Sequence, residues 1–417
     1  MESVWIVTTS SLPWKTGTSI NPLLRAAYLG RHVEKVHLLL PWLSPQDQEH
    51  LFPTNLRFST PTEQTEYLLD WLRQEAEFHD KKLPLLSFYR AVFFPERYSI
   101  FPIEKDMPSL VPRDTDLVIL EEPEHLHWCY APKTCWTTRF RWVVGVIHTH
   151  YAMYTEDEPF LHRFLLPPYN QLLCHAYCHS LVCLSSAVRI SHPQKWVENI
   201  HGVRETFLRI GREVPYETRE GYYFIGKMVW TKGMDRMRTL LPTIPSFSLH
   251  VYGFGSDLQN IIHSTRHLPI RYHPVAMDHA QLGHYKVFVN PCVSDVLCTT
   301  TAEALAMGKF VICADHPSND FFKAFPNCLF FSTPNEFKRH IRFTMLHHPQ
   351  PLSLHHQTLL SWEAATLRLL QFVALKPKDP PSDNFPYQIH RLISNGPFGN
   401  MMRQWTGQGI LCPFLND

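Results

Sequence analysis

Between Lys286 and Asp315 the chain reads KVFVNPCVSDVLCTTTAEALAMGKFVICAD: an apolar strand, an acidic and hydroxyl-rich turn, a short helix stopped by glycine, and a second apolar strand. Both strands are continuous apolar runs, the pattern of strands covered on both faces, so the unit predicts a parallel sheet within an α/β fold. Thr299 to Thr301 offer cap hydroxyls ahead of AEALAM, and Gly308 ends the helix. A helix begun there turns bare N–H groups toward the carboxyl end of a strand, where α/β proteins hold nucleotides. Asp295 lies in the turn and Glu303 in the helix. A diphosphate suits the helix end and sugar hydroxyls suit carboxylate acceptors, so the combination points to a sugar nucleotide.

The same rhythm runs through most of the chain. VWIVTTS, KVHLLLP, DLVILEEP, WVVGVIHT and SLVCLSS form a first set of strand patterns, and YYFIGKM, LHVYGFG, IRYHPV, KVFVNP, KFVICADH and CLFFST form a second. With 417 residues, more than one ordinary core accommodates, this predicts an α/β protein of two Rossmann-like, doubly wound parallel-sheet domains with a cleft. The polar stretch from Gly211 to Gly221 suggests the break, giving an N-terminal domain over 1–215 and a C-terminal domain over 216–360. The aromatic and proline-rich segment 58–109 fits neither rhythm and is expected to be an insertion bordering the cleft. SWEAATLRLLQFVAL predicts a crossover helix over 361–375, and the tail 376–417 has no periodicity and is expected to be irregular.

Charge excludes one class of partner. Lys plus Arg number 39 against 38 Asp plus Glu, which leaves no long-range field for a polyanion, so nucleic acid is not expected. The ten cysteines show no CxxC pair and read as reduced core residues. No apolar run approaches the roughly 18 residues that span a bilayer. A strand pattern already begins at Val4, so no signal or transit segment is expected. If a membrane is involved, the expectation is a protein that lies on it.

Several residues carry candidate chemistry. Lys227 and Lys232, after a strand and before a helix, would face the strand's carboxyl end and could neutralise a leaving diphosphate; two solvated loop lysines are the plainer alternative. Gly17, between Thr16 and Thr18, follows the first strand and would let backbone approach a ligand before a helix that starts near Asn21. His148 closes the strand WVVGVIHT, so its ring should project at the carboxyl end of the first sheet, where Glu121, Glu122, Glu124 and His125 also lie; His150 could cap a helix. Cys174, His175, Cys178 and His179 raise a metal alternative, but no second pair of ligands matches them and a buried helix explains them better, so no metal site is expected. The aromatic segments Phe93 to Phe101 and Trp128 to Trp142 could rest on lipid or simply pack.

These residues together match a known pattern. TTSSLPWKTGTSINPLLRAAYL, LEEPEHLHW, VVGVIHTHY, YYFIGKMVWTKGM, SDVLCTTTAEALAMGKFVICADHPSNDFFKAFPNC and LSWEAATLRLL occur in order over roughly residues 4 to 372 and resemble the digalactosyldiacylglycerol synthases of plastids, within the retaining glycosyltransferase family four. The tail after Lys376 lies outside the resemblance. It implies a GT-B fold, two Rossmann-like domains facing across a cleft. It also implies transfer of galactose from UDP-galactose to monogalactosyldiacylglycerol with retention at the anomeric carbon, a phosphate oxygen taking the acceptor's proton. By resemblance Asp295 lies near the transferred sugar and Glu303 on the ribose, Lys227 and Lys232 hold the diphosphate, and His148 contacts the donor sugar. Gly17 and Thr18 form the first donor loop, and Leu297, Cys298 and Thr299 the helix start that faces the donor. Glu122 and His125 are the candidates for acceptor binding. Val296, Leu297 and Cys298 depart from the Gly-Phe-Gly common in the wider family. No cofactor is required, Mg2+ being at most a stimulant. The expected location is the cytosolic face of the outer chloroplast envelope, as a peripheral protein. The rival readings are a retaining glycosyltransferase that takes a glucosyl donor and an inactive lipid-binding protein on the same fold.

Overall fold

The computed structural model describes residues 1–149, 151, 160–241, 244, 247–275, 277–374 and 384–405. The chain forms two compact units. The first comprises Met1–Cys183, Arg189–Glu198 and the chain from Leu369 onward; the second comprises Leu184–Val188 and Asn199–Arg368.

The first unit is built on strands β1 (Ser3–Val7), β2 (Lys35–Trp42), β3 (Leu85–Phe94), β4 (Ser99–Pro102), β5 (Leu117–Glu121), β6 (Val143–Ile147), β7 (Ser180–Cys183) and β8 (Lys195–Val197). They lie in the order β4-β3-β2-β1-β5-β6-β7-β8, parallel throughout except for β4, which runs antiparallel to β3. Every residue of β5 and β6 is buried, as their unbroken apolar sequences require. The second unit holds β9 (Glu220–Ile225), β10 (Leu249–Tyr252), β11 (Ile270–His273), β12 (Tyr285–Asn290), β13 (Phe310–Ala314) and β14 (Cys328–Phe331) in the all-parallel order β11-β10-β9-β12-β13-β14. In both units the strand order reverses once, between β1 and β5 in the first and between β9 and β12 in the second. Ligands of doubly wound sheets bind outside the carboxyl ends of the strands at such a reversal.

Three expectations need correction. The units divide at Glu198 and Asn199 rather than at 215. Helix Glu205–Glu213 packs Phe207 and Leu208 into the second unit's core, and a Cβ on Gly211 would stand 2.3 Å from the Ala306 carbonyl oxygen. The polar stretch after it is no linker: Arg219 is buried, and its Nη1 and Nη2 donate to the carbonyls of Met307 and Val214 at 2.5 and 2.6 Å. Second, segment 58–109 is part of the sheet, since β3 pairs with both β2 and β4 and the buried Tyr89 hydroxyl donates to the Thr8 carbonyl at 2.9 Å.

Third, the tail carries the helices Phe385–Ser394 and Pro397–Trp405. Asn384 caps the first of them by accepting from Tyr387 N at 2.8 Å, and its Nδ2 donates to Ala176 O at 2.6 Å. His390 is buried between the hydroxyls of Tyr169 and Tyr177, and burial holds its pKa down to about 3. Amphipathic docking, rather than helix propensity, forms these segments, and that depends on a partner helix which local sequence does not reveal. The helix expected over 361–375 is observed as Trp362–Ala374, and the division between the units falls within it, between Arg368 and Leu369.

Candidate active site

In the second unit the chain leaves β9 through Gly226 and Lys227, makes a short turn over Trp230–Lys232, and enters helix Met234–Leu240 through Gly233. Gly233 has φ 87° and lies against Pro291, whose backbone carbonyl carbon and oxygen would both be 2.7 Å from a Cβ there. This close approach lays the loop after β9 on the loop after β12. Ser294 Oγ donates to Thr231 O at 2.8 Å and fastens the two loops again. The result is a direct ion pair between Lys232 Nζ and Asp295 Oδ1, with the two side chains 20% and 15% exposed. Lys227 is solvent-exposed, yet partial desolvation and the neighbouring Lys232 charge hold its ammonium below the usual lysine range.

Helix Thr299–Ala306 starts beside this pair. Its N-cap is Cys298, a buried thiol, so the expected hydroxyl cap is absent. Burial pushes that thiol up to about 11, which removes it as a nucleophile. Thr301 instead accepts from the buried Asn290 Nδ2 at 3.0 Å, tying the helix to the end of β12. Leu297 is half-buried against the core and Thr299 is half-buried at the first helical position. Glu303, one turn on, accepts from His279 Nδ1 at 2.7 Å, and His279 Nε2 meets the buried Tyr223 hydroxyl at 2.7 Å. Sequence reading missed His279, because nothing in DHAQL distinguishes it from the other histidines.

In the first unit the loop after β1 runs into helix Gly17–Leu29, which therefore begins four residues earlier than Asn21. Gly17 is its first residue, with an ordinary helical backbone, and a Cβ there would meet only Asn21 Nδ2, at 3.5 Å. Thr18 Oγ1 accepts from Ser10 Oγ at 2.8 Å and lies 3.1 Å from Thr16 Oγ1, forming a hydroxyl cluster at the helix start.

His148, just beyond β6, hydrogen-bonds through Nε2 to Glu121 Oε2, and Glu121 Oε1 accepts from Arg25 Nε at 2.7 Å. Burial by itself would raise the Glu121 carboxyl, but the charge of Arg25, helped by the hydrogen bond from His148, outweighs it and holds the pKa at about 2. Arg25 went unread in sequence, although a lone arginine in the apolar stretch LLRAAYL was the available signal.

Glu122 and His125 are buried and their hydrogen-bonding groups are engaged. Glu122 accepts from Thr9, Thr149 and Tyr151, while His125 bonds Tyr151 OH at 2.9 Å and Ile100 O at 2.8 Å. His150 lies outside the described residues.

The metal alternative has an ordinary structural explanation. His175 bonds Ser191 O at 2.9 Å, and His179 accepts from Val143 N at 3.0 Å and bonds Thr137 O at 3.0 Å. Among the described residues no group of three or more His, Cys, Asp and Glu is placed to hold a metal ion. Trp128, Trp136 and Trp142 are buried, as are Phe93, Ile100 and Phe101, so packing accounts for nearly all of both aromatic segments; Tyr98 is the exception and is exposed.

No family model matches the chain. A Glycine max protein named digalactosyldiacylglycerol synthase 2, chloroplastic, is 40% identical over 414 residues, covering 94% of this chain and 87% of that protein. The chain belongs to the digalactosyldiacylglycerol synthase family. A Glycine max synthase 1 of the family is 44% identical over 390 residues, covering 89% of this chain and 49% of that protein. The chain thus spans about half the length of the synthase 1 relatives it matches. The 94% coverage cannot leave out all of the segment beyond Lys376, which is about a tenth of the sequence, so the likeness to the synthase family reaches into the tail. Among solved structures, sucrose-phosphate synthase from Thermosynechococcus elongatus matches with a TM-score of 0.54 at 12% identity, covering 90% of this chain and 98% of that one. This likeness concerns the fold, which is GT-B: two Rossmann-like parallel-sheet units.

Proposed function

We propose that the protein transfers galactose from UDP-galactose to monogalactosyldiacylglycerol, retaining the configuration at the anomeric carbon. Membership of the digalactosyldiacylglycerol synthase family supports a digalactosyl lipid as the product, and with it a galactosyl donor and a galactolipid acceptor. The observation that carries the chemistry is the grouping of Lys227, Lys232 and Asp295 with the start of helix Thr299–Ala306 at the strand-order reversal of the second unit. As UDP departs, charge develops on its diphosphate, and two ammonium groups with the first N–H groups of a helix are suited to hold it. In this reading Glu303, oriented by His279, takes the ribose hydroxyls, and Asp295 and His148 address the transferred sugar. The acceptor's proton passes to a phosphate oxygen of the leaving group. The two lysines supply the positive charge, so the mechanism calls for no metal or other cofactor. Product analysis after incubating the full chain with labelled UDP-galactose, competing UDP-glucose and mixed lipids tests this. Labelled digalactosyl lipid is expected; transfer of glucose in its place would overturn the donor assignment, and no transfer of either would overturn the reading.

The lipid acceptor implies attachment to a membrane surface; the relatives' chloroplastic names support a chloroplast location, and the cytosolic face of the outer envelope is our proposal within it. Among the described residues no helix is long and apolar enough to cross a membrane. The two aromatic segments are largely consumed by packing, whereas helix Phe385–Ser394 exposes Phe385 and Leu392 at 68% and 78% on the face opposite its buried Tyr387 and His390. No acid occurs from Asn384 to Trp405, and Arg391 is exposed, which suits an anionic lipid surface. Substituting both residues (F385S with L392S) should weaken flotation with galactolipid vesicles containing phosphatidylglycerol by about tenfold or more, since each side chain inserts apolar area. The melting temperature should hardly change. Undiminished flotation would remove this face from the membrane contact.

A further inference from the structure

We propose that Glu121 is a positioning residue for His148, fixing which ring nitrogen carries the proton and hence which one can accept from a sugar hydroxyl. The inference rests on the reading that His148 addresses the donor sugar. Three side chains from three separate elements meet: Arg25 from helix Gly17–Leu29, Glu121 from the last position of β5 and His148 from the loop after β6. They are 1%, 0% and 4% exposed. A carboxylate taken out of water is strongly destabilising unless it is paired and hydrogen-bonded on its remaining lone pairs. Arg25 alone would supply the counter-charge. The second oxygen of Glu121 is nevertheless committed to the imidazole at the carboxyl end of the sheet, next to the order reversal between β1 and β5.

Because Arg25 keeps Glu121 ionised, the carboxylate can only accept, so the hydrogen of the shared bond sits on His148 Nε2. In the neutral ring Nδ1 is then the acceptor, and turning the ring over would set a lone pair against the carboxylate. The neighbouring ionisable groups are otherwise engaged. Glu122 is occupied by Thr9, Thr149 and Tyr151, His125 binds Tyr151, and Glu124 lies buried beyond them in helix Pro123–His127.

The test is Glu121→Gln in the full chain. Its amide can donate to Nε2 as readily as accept from it, so the tautomer is no longer fixed. The expected result is a loss in galactose transfer of about ten- to a hundred-fold, the size typical of losing a partner that orients a ring nitrogen. UDP affinity by calorimetry should change by less than about twofold, because the groups read as holding the diphosphate come from the other unit. Side-chain 15N NMR of histidine-labelled protein, with the His148 signals assigned by their disappearance in His148→Asn, should change from the Nε2–H form to a mixture. Glu121→Asp, which keeps an ionised acceptor, should return the 15N signals toward the Nε2–H form at least in part.

Wild-type turnover with unchanged 15N signals in Glu121→Gln would overturn the proposal. So would loss of transfer accompanied by loss of UDP binding and a lower melting temperature, which marks a purely structural role. Full transfer by His148→Ala would instead refute the reading beneath it, while the NMR result for Glu121 would still stand.

Discussion

Replacing Lys232 by alanine is expected to slow sugar transfer by about 10²- to 10³-fold, the usual effect of deleting a preorganised group that faces developing charge. Lys232 and Asp295 touch in a setting where both side chains are mostly covered, so each offsets the other's charge at close range. On the proposed function a diphosphate joins that pair and shares the lysine. Truncation therefore acts twice: it removes the cation, and it leaves the Asp295 carboxylate unneutralised where an anion must bind. The second effect makes the prediction specific. Adding Asp295→Asn to Lys232→Ala should recover part of the lost UDP affinity, because it removes the repulsion, but it should not recover transfer, because Asp295 is the group read as lying near the donor sugar. Calorimetry with UDP and turnover with labelled UDP-galactose, on the two single variants and the double, close the cycle. Normal turnover in Lys232→Ala would end the assignment of the diphosphate site, and strictly additive losses of UDP affinity would end the account of the pair. Lys227 fits the same picture. Partial desolvation and the proximity of Lys232 disfavour its charged form, so binding an anion beside both lysines should take up protons at alkaline pH.

The sequence was most readable where one local pattern sufficed. The run from Lys286 to Asp315 folds as β12, a turn, a helix and β13, because apolar strands and an alanine-rich helix ended by Gly308 specify those elements without help from the rest of the chain. Pairing in space was less readable. Lys232 and Asp295 were both picked out, but their contact depends on Gly233 packing against Pro291. Glu121 and His148 were both seen at the end of the first sheet, while Arg25, which keeps Glu121 ionised, was not.

Charges that end up inside were the least readable. Lys309 Nζ donates to the carbonyls of Leu282 and Gly283 at 2.9 Å and of Tyr285 at 2.5 Å, with no surface left to solvent. Arg219 does the same in a stretch read as a linker. A buried cation held by backbone carbonyls leaves no periodicity in the sequence, and its letters are those of a surface loop. The aromatic segment Trp128 to Trp142 erred in the opposite direction. An alternation of rings and cations looks the same whether the rings meet lipid or a core, and here Trp128 donates to Asn170 Oδ1 at 2.7 Å and Trp136 to His127 Nε2 at 2.8 Å.

Glu124→Gln is expected to flatten the dependence of stability on pH and to raise stability above neutrality. Glu124 is fully buried, and its Oε1 has no hydrogen-bond partner; its Oε2 lies 4.0 Å from Cys174 Sγ. Burial, with a further contribution from the charge of Glu122, pushes the carboxyl up from 4.5 to about 8. The folded state therefore holds a proton that the unfolded chain releases, and stability falls as pH rises from about 4.5 toward about 8, the reverse of a salt-bridged acid. Carried to pH 7 the linkage amounts to about 3 kcal/mol, large against the usual 5–15 kcal/mol of net stability. Glutamine has the same shape and nothing to ionise. Its buried amide costs about 1–3 kcal/mol if unpaired, so the variant should be no more stable than wild type at pH 5 and more stable at pH 8. Thermal melting of the two proteins from pH 5 to pH 8 should give curves that cross or converge at the acid end and separate at the alkaline end. Parallel curves would mean that Glu124 is ionised in the folded protein throughout, with a counter-charge that its surroundings in helix Pro123–His127 do not reveal.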